Sequence, residues 1–390
     1  MSDEERTHLV RVLREAIAAD EPTTLIGRPS SKYRDIAKAG IEVCASFTAI
    51  ENQNVYSALS LIPVHSDYLS RVIYFHGETA EEQADWLLRM MRTTVADGYF
   101  VAAIWGIALT ETIDLSPTAR LIPFSELRES VVKRILIERA KRRKTVSHWL
   151  ASHAFQVPSA AYVELIKDVP YIGLTARSDE MVVEAFERGV SVWPLVEMLG
   201  AGRSLVFASW FEYVDETLDV SAYENHLSFY HPEVAPYLDR PIPVDAEQFR
   251  AELAAFAALP GPARARLIRA AKRFSLSLCR FQIIDRTLDL ALGFEIMLSG
   301  GSESVGGTTW KLAVRCAQLV GGDLEDRIRI RKQINDFYQH RSRASHGSEP
   351  DIPQGDVDAA TELFKQTFRA LVRLGKEPIW NEIELGSAHR

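Results

Sequence analysis

The spacing of apolar and polar positions changes in character near residue 245. Before that point, residues 2–19 and 79–96 carry apolar side chains every three or four positions, which predicts two amphipathic helices. Shorter apolar runs rich in β-branched and aromatic residues predict strands at residues 41–47, 59–64, 70–75 and 99–109. We therefore predict a mixed α+β N-terminal region over residues 1–245.

The same region continues with a basic helix predicted at residues 131–153, a helix at 179–187 and a buried strand at 204–214. The basic helix contains four consecutive cations, from Lys141 to Lys144, and is followed by Trp149. Such a segment can hold a phosphate backbone and stack a base, but a solvated helix anchored in the core by Trp149 fits the same pattern. Both interpretations stay open.

A proline-rich stretch separates this region from a helical one. Residues 231–245 contain four prolines, and we interpret them as the domain boundary. Helical spacing then runs over residues 262–298 as one long helix or two. Further helices are predicted at residues 308–319, 323–346 and 356–374. Short links between such helices indicate an all-α helical bundle over residues 250–380, with a tail at 381–390.

Composition restricts the function classes. The chain has 390 residues, of which 47% are hydrophobic and 25% charged, as in a folded protein with two or three cores. No secretory start and no apolar run of about 18 residues occurs, so we expect a cytoplasmic protein that does not insert into a membrane. Three scattered cysteines fit buried thiols in a reducing compartment. No nucleotide-binding or metal-ligand motif is present, and we expect no cofactor and no metal.

The charge is unevenly distributed. The whole chain has a net charge of −8, yet residues 251–347 hold 15 lysines and arginines against 9 aspartates and glutamates. A basic segment beside acidic neighbours is compatible with nucleic-acid binding, although a solvated helix surface explains any single cation in it.

The basic segment ends in the stretch around which the chain is organised, residues 330–347. The spacing of its apolar side chains predicts one helix face, which consists of Leu324, Ile328, Ile334 and Phe337. That face continues onto Arg341, and a guanidinium in line with a core needs an acid or an anionic ligand. His346 follows five residues later, and Gly347 predicts that the helix ends there, which allows the imidazole to turn towards the guanidinium.

An arginine and a histidine placed in this way suit phosphoryl transfer on RNA. Histidine can take the proton of a ribose 2′-hydroxyl or donate one to the leaving oxygen, while arginine stabilises the charge on the phosphate. The spacing alone is weak, because the pairs Arg71–His76 and Arg143–His148 share it. Context separates these pairs from Arg341–His346, since only Arg341 continues an apolar helix face.

The order of the C-terminal segments resembles the HEPN superfamily of helical nuclease domains, and most of all its Apea-like branch. The resemblance covers about a third of the chain. Its most specific part is the branch pattern Y-x-x-R-S-x-x-x-H-G, matched by Tyr338, Arg341, Ser342, His346 and Gly347. The resemblance implies a metal-independent endoribonuclease, in bacteria commonly a toxin or an abortive-infection effector against phage. It also implies a homodimer whose paired motifs form one cleft.

The resemblance also implies roles for individual residues. Arg341 and His346 would be the catalytic pair, Ser342 the polar residue after the arginine, Tyr338 a supporting residue, and Glu295 the acid that holds Arg341. In related toxins a modified tyrosine follows the histidine by two places, where this chain has Ser348. That modification is therefore not expected here.

We further expect RNA, with tRNA as one candidate, to contact a basic groove. The candidate residues are Arg315, Arg327, Arg331, Lys332 and Arg343. The helix at 308–319 would supply the dimer seam, and the N-terminal region would bind a phage or cellular trigger.

Two alternatives stand beside the enzyme. The first is a catalytically silent bundle that binds RNA or a protein, a role that the resemblance to this branch also allows. In the second, Arg341 would be a structural guanidinium paired with Glu295 or Asp289, and His346 a helix-end cation.

Overall fold

The computed structural model of the chain describes residues 3–20, 29–51, 53–57, 60–141, 157–173, 176–199, 204–218, 228–229, 241–280, 282–299, 309–345 and 351–386. Helices and an antiparallel sheet form the N-terminal part, and the regular elements described after residue 245 are all helices. This confirms the mixed fold class and the change in character along the chain. Across the described ranges, no helix combines the length and the apolar character that crossing a membrane requires.

The N-terminal helices are α1 (Asp3–Ala19), α2 (Ser31–Glu42), α3 (Ala45–Thr48), α4 (Ser66–Val72), α5 (Ala80–Arg92), α6 (Val131–Lys141) and α7 (Ala176–Leu199). The strands are β1 (Asn54–Ser57), β2 (Ser60–Pro63), β3 (Val95–Trp105), β4 (Ile107–Ala108), β5 (Ile113–Asp114), β6 (Ala119–Pro123), β7 (Ala160–Pro170), β8 (Ile172–Gly173), β9 (Leu205–Tyr213), β10 (Ser228–Phe229) and β11 (Ile242–Pro243). The C-terminal helices are α8 (Ala246–Ala257), α9 (Gly261–Cys279), α10 (Ile283–Leu298), α11 (Thr309–Val320), α12 (Leu324–Ser345), α13 (Gln354–Leu374) and α14 (Trp380–Glu384).

A six-stranded antiparallel sheet organises the N-terminal region, with the order β10-β9-β3-β7-β6-β5. The central strand β3 places Val101 opposite Val163 of β7 and Trp210 of β9. Because side chains alternate along a strand, Phe100 and its even-numbered neighbours pack into the core shared with α7, while Val101 and its odd-numbered neighbours pack with α6. Both faces of the central strands are therefore covered.

Two of the predicted strands are wrong, because their apolar residues have helical spacing. In residues 41–47 the buried side chains are Ile41, Cys44 and Phe47, three residues apart, whereas Val43 is 67% exposed. This stretch forms the end of α2 and then α3. Residues 70–75 likewise form the end of α4 and a single 3₁₀ turn. Tertiary packing overrode the preference of β-branched residues for strands.

Other predictions for the N-terminal region are confirmed. The helices predicted at residues 2–19 and 79–96 are α1 and α5, and α5 begins with the capping box of Thr79 and Glu82. Helix α5 ends at Arg92, however, and residues 95–96 already belong to β3. The strands at 59–64, 99–109 and 204–214 are present, and the helix at 179–187 is part of the longer α7. The basic helix is described up to Lys141, so Trp149 and its predicted stacking role lie outside the described residues.

The C-terminal helices pack around an aromatic core. The ring of Phe364 on α13 lies 5.0 Å from Phe274 of α9 and 4.9 Å from Phe294 of α10. A Cβ at Gly293 would lie 2.9 Å from the Phe364 ring, so the glycine permits this close approach of α10 and α13. Two helices, α9 and α10, replace the single long helix that the sequence also allowed.

The bundle includes residues on both sides of its predicted limits. The last turn of α7, residues 195–199, is buried, and Arg369 of α13 donates hydrogen bonds to the carbonyls of Met198 (2.8 Å) and Leu199 (3.4 Å). Glu197 accepts a hydrogen bond from the hydroxyl of Ser275 on α9. The predicted tail at 381–390 is folded as far as it is described, because α14 buries Trp380 and Ile383.

The predicted apolar face of α12 is partly wrong. Ile334 and Phe337 are buried, but Leu324 is 72% exposed and Ile328 is 52% exposed. Six residues separate Ile328 from Ile334, and six residues of helix turn through roughly 600°, which places the two side chains on different faces. The face that packs against the bundle consists of Ile330, Ile334, Phe337 and Tyr338.

This difference gives a stability prediction. We expect Ile334→Ala to lower the free energy of unfolding by about 2–5 kcal/mol, because it leaves a cavity in the core. Leu324→Ala on the same helix should change it by no more than about 0.5 kcal/mol. Urea unfolding of both variants measures the difference, and equal losses would contradict the observed face of α12.

Candidate functional site

Helix α12 carries the sequence motif to one end of the bundle. Its buried face, Ile334 and Phe337, is followed one turn later by Arg341, whose side chain is 40% exposed. The helix is described up to Ser345, whose hydroxyl donates to the carbonyl oxygens of Arg341 (3.0 Å) and Ser342 (3.1 Å). Arg341 therefore lies at the rim of the packed face, as the sequence predicted.

The guanidinium of Arg341 is paired with Glu295 of α10, with a nitrogen to oxygen distance of 3.3 Å. The other candidate acid, Asp289, binds Arg273 (3.2 Å) and Arg280 (2.8 Å) instead. A pair this exposed adds at most about 1 kcal/mol to stability. Its main effect is to orient a planar donor whose remaining N–H groups have no other hydrogen bond among the described residues.

Tyr338 forms the floor beneath this pair. Its hydroxyl donates a hydrogen bond to the carbonyl of Ala291 on α10 (3.1 Å), and its ring is buried. Burial raises the pKa of Tyr338 well above its usual value, the negative charge of Glu295 raises it further, and Arg341 opposes both. Tyr338, Glu295 and Arg341 thus form one electrostatic cluster, in which Tyr338 stays protonated.

The remaining motif residues are described only in part. Ser342 is exposed at the end of α12. His346 and Gly347 lie outside the described residues, so the predicted approach of the imidazole to Arg341 stays a prediction.

Arg315 does not face a groove. It is 1% exposed, and it binds Glu384 of α14 (2.7 Å) and the carbonyl of Leu298 (2.7 Å). Its guanidinium also lies over the ring of Trp380, 4.6 Å from the ring centre. Arg315 therefore ties α11 to α10 and α14, and the prediction that it lines an RNA-binding groove is wrong.

The other predicted RNA contacts differ in their surroundings. Arg327 donates to the carbonyls of Gly321 (3.4 Å) and Gly322 (3.3 Å), so it binds the link between α11 and α12. Arg331, Lys332 and Arg343 are exposed on α12. At about 1.5 Å per residue, Arg331 and Lys332 lie roughly 14 Å along the helix from Arg341. These exposed cations share one helix with the motif arginine.

One pair near the motif was missed by sequence reasoning. The Nε2 atom of His340 lies 3.0 Å from a carboxylate oxygen of Asp356 in the first turn of α13. The pair joins the two helices that flank the segment containing His346. No spacing rule indicates it, because it depends on how α12 and α13 cross.

The described part of the site offers an oriented and half-exposed arginine, which is suited to binding a phosphate or carboxylate. Among the residues that the structure describes, no group of three or more His, Cys, Asp or Glu side chains is arranged to hold a metal ion. Comparison with models of known protein families, with curated proteins and with solved structures found no match for this chain.

The buried hydroxyl of Tyr338 gives a pH-dependent prediction. We expect Tyr338→Phe to cost about 0.5–1.5 kcal/mol at neutral pH, because it removes the hydrogen bond to Ala291. In the unfolded protein Tyr338 ionises at about pH 10, whereas in the folded protein it keeps its proton to higher pH. Ionisation therefore favours the unfolded state, and the free energy of unfolding of the wild type falls by about 1.4 kcal/mol by about pH 11.

The cost of the substitution should therefore shrink or reverse in alkali. Urea unfolding of the wild type and of Tyr338→Phe at neutral pH and near pH 11 measures this change. If their free energies of unfolding differ by the same amount at both pH values, the pKa of Tyr338 is not raised.

Proposed function

We propose that the chain is a metal-independent endoribonuclease of the HEPN type, with tRNA among its candidate substrates. The observation that supports this most is the half-exposed guanidinium of Arg341. It is oriented by Glu295 at the end of a bundle helix, and it precedes a histidine by five residues. The stability of the bundle does not account for this arginine, because an exposed ion pair contributes little to folding.

In the proposed reaction the 2′-hydroxyl of a ribose attacks the adjacent phosphorus and the bond to the 5′-oxygen breaks. His346 removes the proton of the 2′-hydroxyl or donates one to the leaving oxygen. Arg341 binds the non-bridging phosphate oxygens, on which charge accumulates. Ser342 is exposed beside Arg341 and can donate a hydrogen bond to the same phosphate. The products would be a 2′,3′-cyclic phosphate and a 5′-hydroxyl.

The proposed active unit is a homodimer formed through the C-terminal bundle. The reaction needs a base at one oxygen and an acid at another, and two copies of His346 around a two-fold axis would supply both. Helices α11 and α12 are joined by residues 321–323 and pack as a hairpin, so the start of α11 and the end of α12 lie at the same end of the bundle. At about 1.5 Å per residue, the shorter α11 starts roughly 10 Å before Arg341 is reached along α12. Trp310, at that start, is 57% exposed, which suits a seam on this side of the bundle.

The biological setting that we propose follows from the same resemblance. A cytoplasmic ribonuclease of this type would act in bacteria as a toxin or as an abortive-infection effector. The N-terminal region, which is acidic and packed onto the bundle, would then restrain the nuclease or bind the phage or cellular trigger.

Cleavage of RNA by purified variants tests the proposal. We expect Arg341→Lys to lower the rate by about 10² or more, because lysine keeps the charge but loses the planar fork. His346→Ala should abolish cleavage without unfolding the protein. The reaction is run on total RNA and tRNA in EDTA, and the product ends are analysed for 2′,3′-cyclic phosphate.

Matched controls are Arg329→Lys, on the same helix but paired with Asp326, and His65→Ala, an exposed histidine of the N-terminal region. Both should cleave RNA at the wild-type rate. If His346→Ala cleaves normally, the assignment is wrong. If the wild-type protein binds RNA in a gel-shift assay but leaves it intact, the chain is the silent binding module instead.

The dimer gives a separate prediction. We expect Trp310→Glu to convert a dimer into a monomer at micromolar concentration, because it places a charge in the apolar seam. Val43→Glu, at another exposed apolar position, should leave the dimer intact. Sedimentation measures both. A mixed dimer with one His346→Ala chain should lose most of its activity, whereas a wild-type monomer that cleaves RNA would exclude the composite site.

A further inference from the structure

A groove of about 800 Å³ lies in the N-terminal region, between α7 and the sheet. We name it the α7 groove. One wall is the face of α7 that carries Glu184, Glu187, Arg188, Ser191 and Val192. The opposite wall consists of the turn between β5 and β6 and the neighbouring part of β7. Its volume is within the range of small-molecule sites, about 300–1,000 Å³.

The floor of this groove contains a buried acid. Glu164 of β7 is 4% exposed, although it faces the side of the sheet that packs apolar residues against α7. Its carboxylate accepts hydrogen bonds from the hydroxyl of Tyr162 (2.5 Å) and from Arg188 (2.7 Å). A buried carboxylate costs stability unless it is paired, and here its ionic partner Arg188 is half exposed at the groove.

The cations of the groove are already shared or engaged. Arg188 lies 3.6 Å from Glu184 as well as binding Glu164, so one guanidinium neutralises two acids. Lys167 is paired with Asp97 at 2.7 Å. The side chain of Glu187 is exposed and has no ion pair among the described residues. The lining is therefore short of positive charge.

We propose that the α7 groove binds a small organic cation, with ammonium or guanidinium groups on an aliphatic body. The aliphatic part would lie on Leu115, Ile166 and Val192, and the cationic ends would reach Glu184 and Glu187 at the rim. The acidic character of residues 1–250, with 36 acids against 25 lysines and arginines, adds a longer-range attraction for such ligands.

The position of the groove also connects it to the bundle. The groove is lined by residues 184–192 of α7, and residues 195–199 of the same helix are buried among α8, α9 and α13. Pro194 lies between the two parts and removes one backbone hydrogen bond from the helix. Because both parts belong to one continuous helix, we expect a ligand in the groove to stabilise the helix turn that Arg369 and Ser275 hold in the bundle. An effect on RNA cleavage would rest on the proposed function, whereas binding would not.

Calorimetry with three compounds of equal chain length tests the proposal on the full-length protein: 1,6-diaminohexane, 1,6-hexanediol and adipate. We expect the diamine to bind with a dissociation constant below about 1 mM, and the neutral diol and the diacid to show no binding in that range. The double variant Glu184→Gln/Glu187→Gln should bind the diamine about tenfold more weakly, because it loses two partly exposed charge pairs.

The matched control is Glu4→Gln/Glu15→Gln, which removes two exposed acids from α1 and should bind the diamine like the wild type. Hydrogen exchange of residues 195–199 should slow on addition of the diamine in wild type but not in the groove variant. No binding of the diamine, equal binding of the diol, or full binding to the groove variant would each overturn the proposal. None of these readouts depends on whether the protein cleaves RNA.

Discussion

The last turn of α7 is the constraint on which the rest of the structure depends. Its apolar side chains Leu195, Val196, Met198 and Leu199 are buried among the bundle helices, while Val182 and Ala185 of the same helix pack in the core shared with the sheet. Full burial of one such side chain contributes about 1.5–3 kcal/mol, and a whole domain is stable by only about 5–15 kcal/mol. The bundle therefore needs this turn for its stability. The change in sequence character at residue 245 does not coincide with a limit of the hydrophobic core, because residues 195–199 belong to the core of the bundle.

Arginines in the bundle serve two different purposes. Arg266, Arg286 and Arg315 are almost fully buried, and each is paired with an acid: Glu377 in the link between α13 and α14, Asp358 on α13 and Glu384 on α14. Buried guanidinium groups need such partners, so these pairs hold helices together. Arg341 also has an acid, Glu295, but keeps 40% of its side chain exposed. Because its pairing is incomplete, Arg341 can bind a further anion, which the buried arginines cannot do.

Much of the fold could be predicted because the long elements have a clear periodicity. Helices α5 and α12 and strand β3 were identified from spacing and capping alone. Prediction failed at residues 41–47 and 70–75, where apolar residues with a strand preference pack on helices. It also failed for Ile328, because apolar residues of two faces of α12 were combined into one. Composition within a short window does not show which neighbours a side chain will have.

The site was predictable to the extent that it is local in sequence. The position of Arg341 at the rim follows from the spacing of α12, and its partner Glu295 was among the candidates. Arg315 was misplaced because its partner, Glu384, lies 69 residues further on, in a segment interpreted as a tail. The burial of Arg315 thus depends on a contact that is distant in sequence, which the local pattern of α11 does not show.

The burial of Arg315 also bears on how RNA would be held. With Arg315 in the core and Arg327 bonded to the link after α11, the exposed predicted cations are Arg331, Lys332 and Arg343, all on the same helix as Arg341. A single helix presents a narrow line of charge, which can follow one side of a strand but cannot enclose a phosphate from two sides. A second α12, related by a two-fold axis at the motif end, would supply the opposite side. Because Arg315 is buried and cannot supply this opposite side, the proposed binding of RNA depends on the second copy of α12.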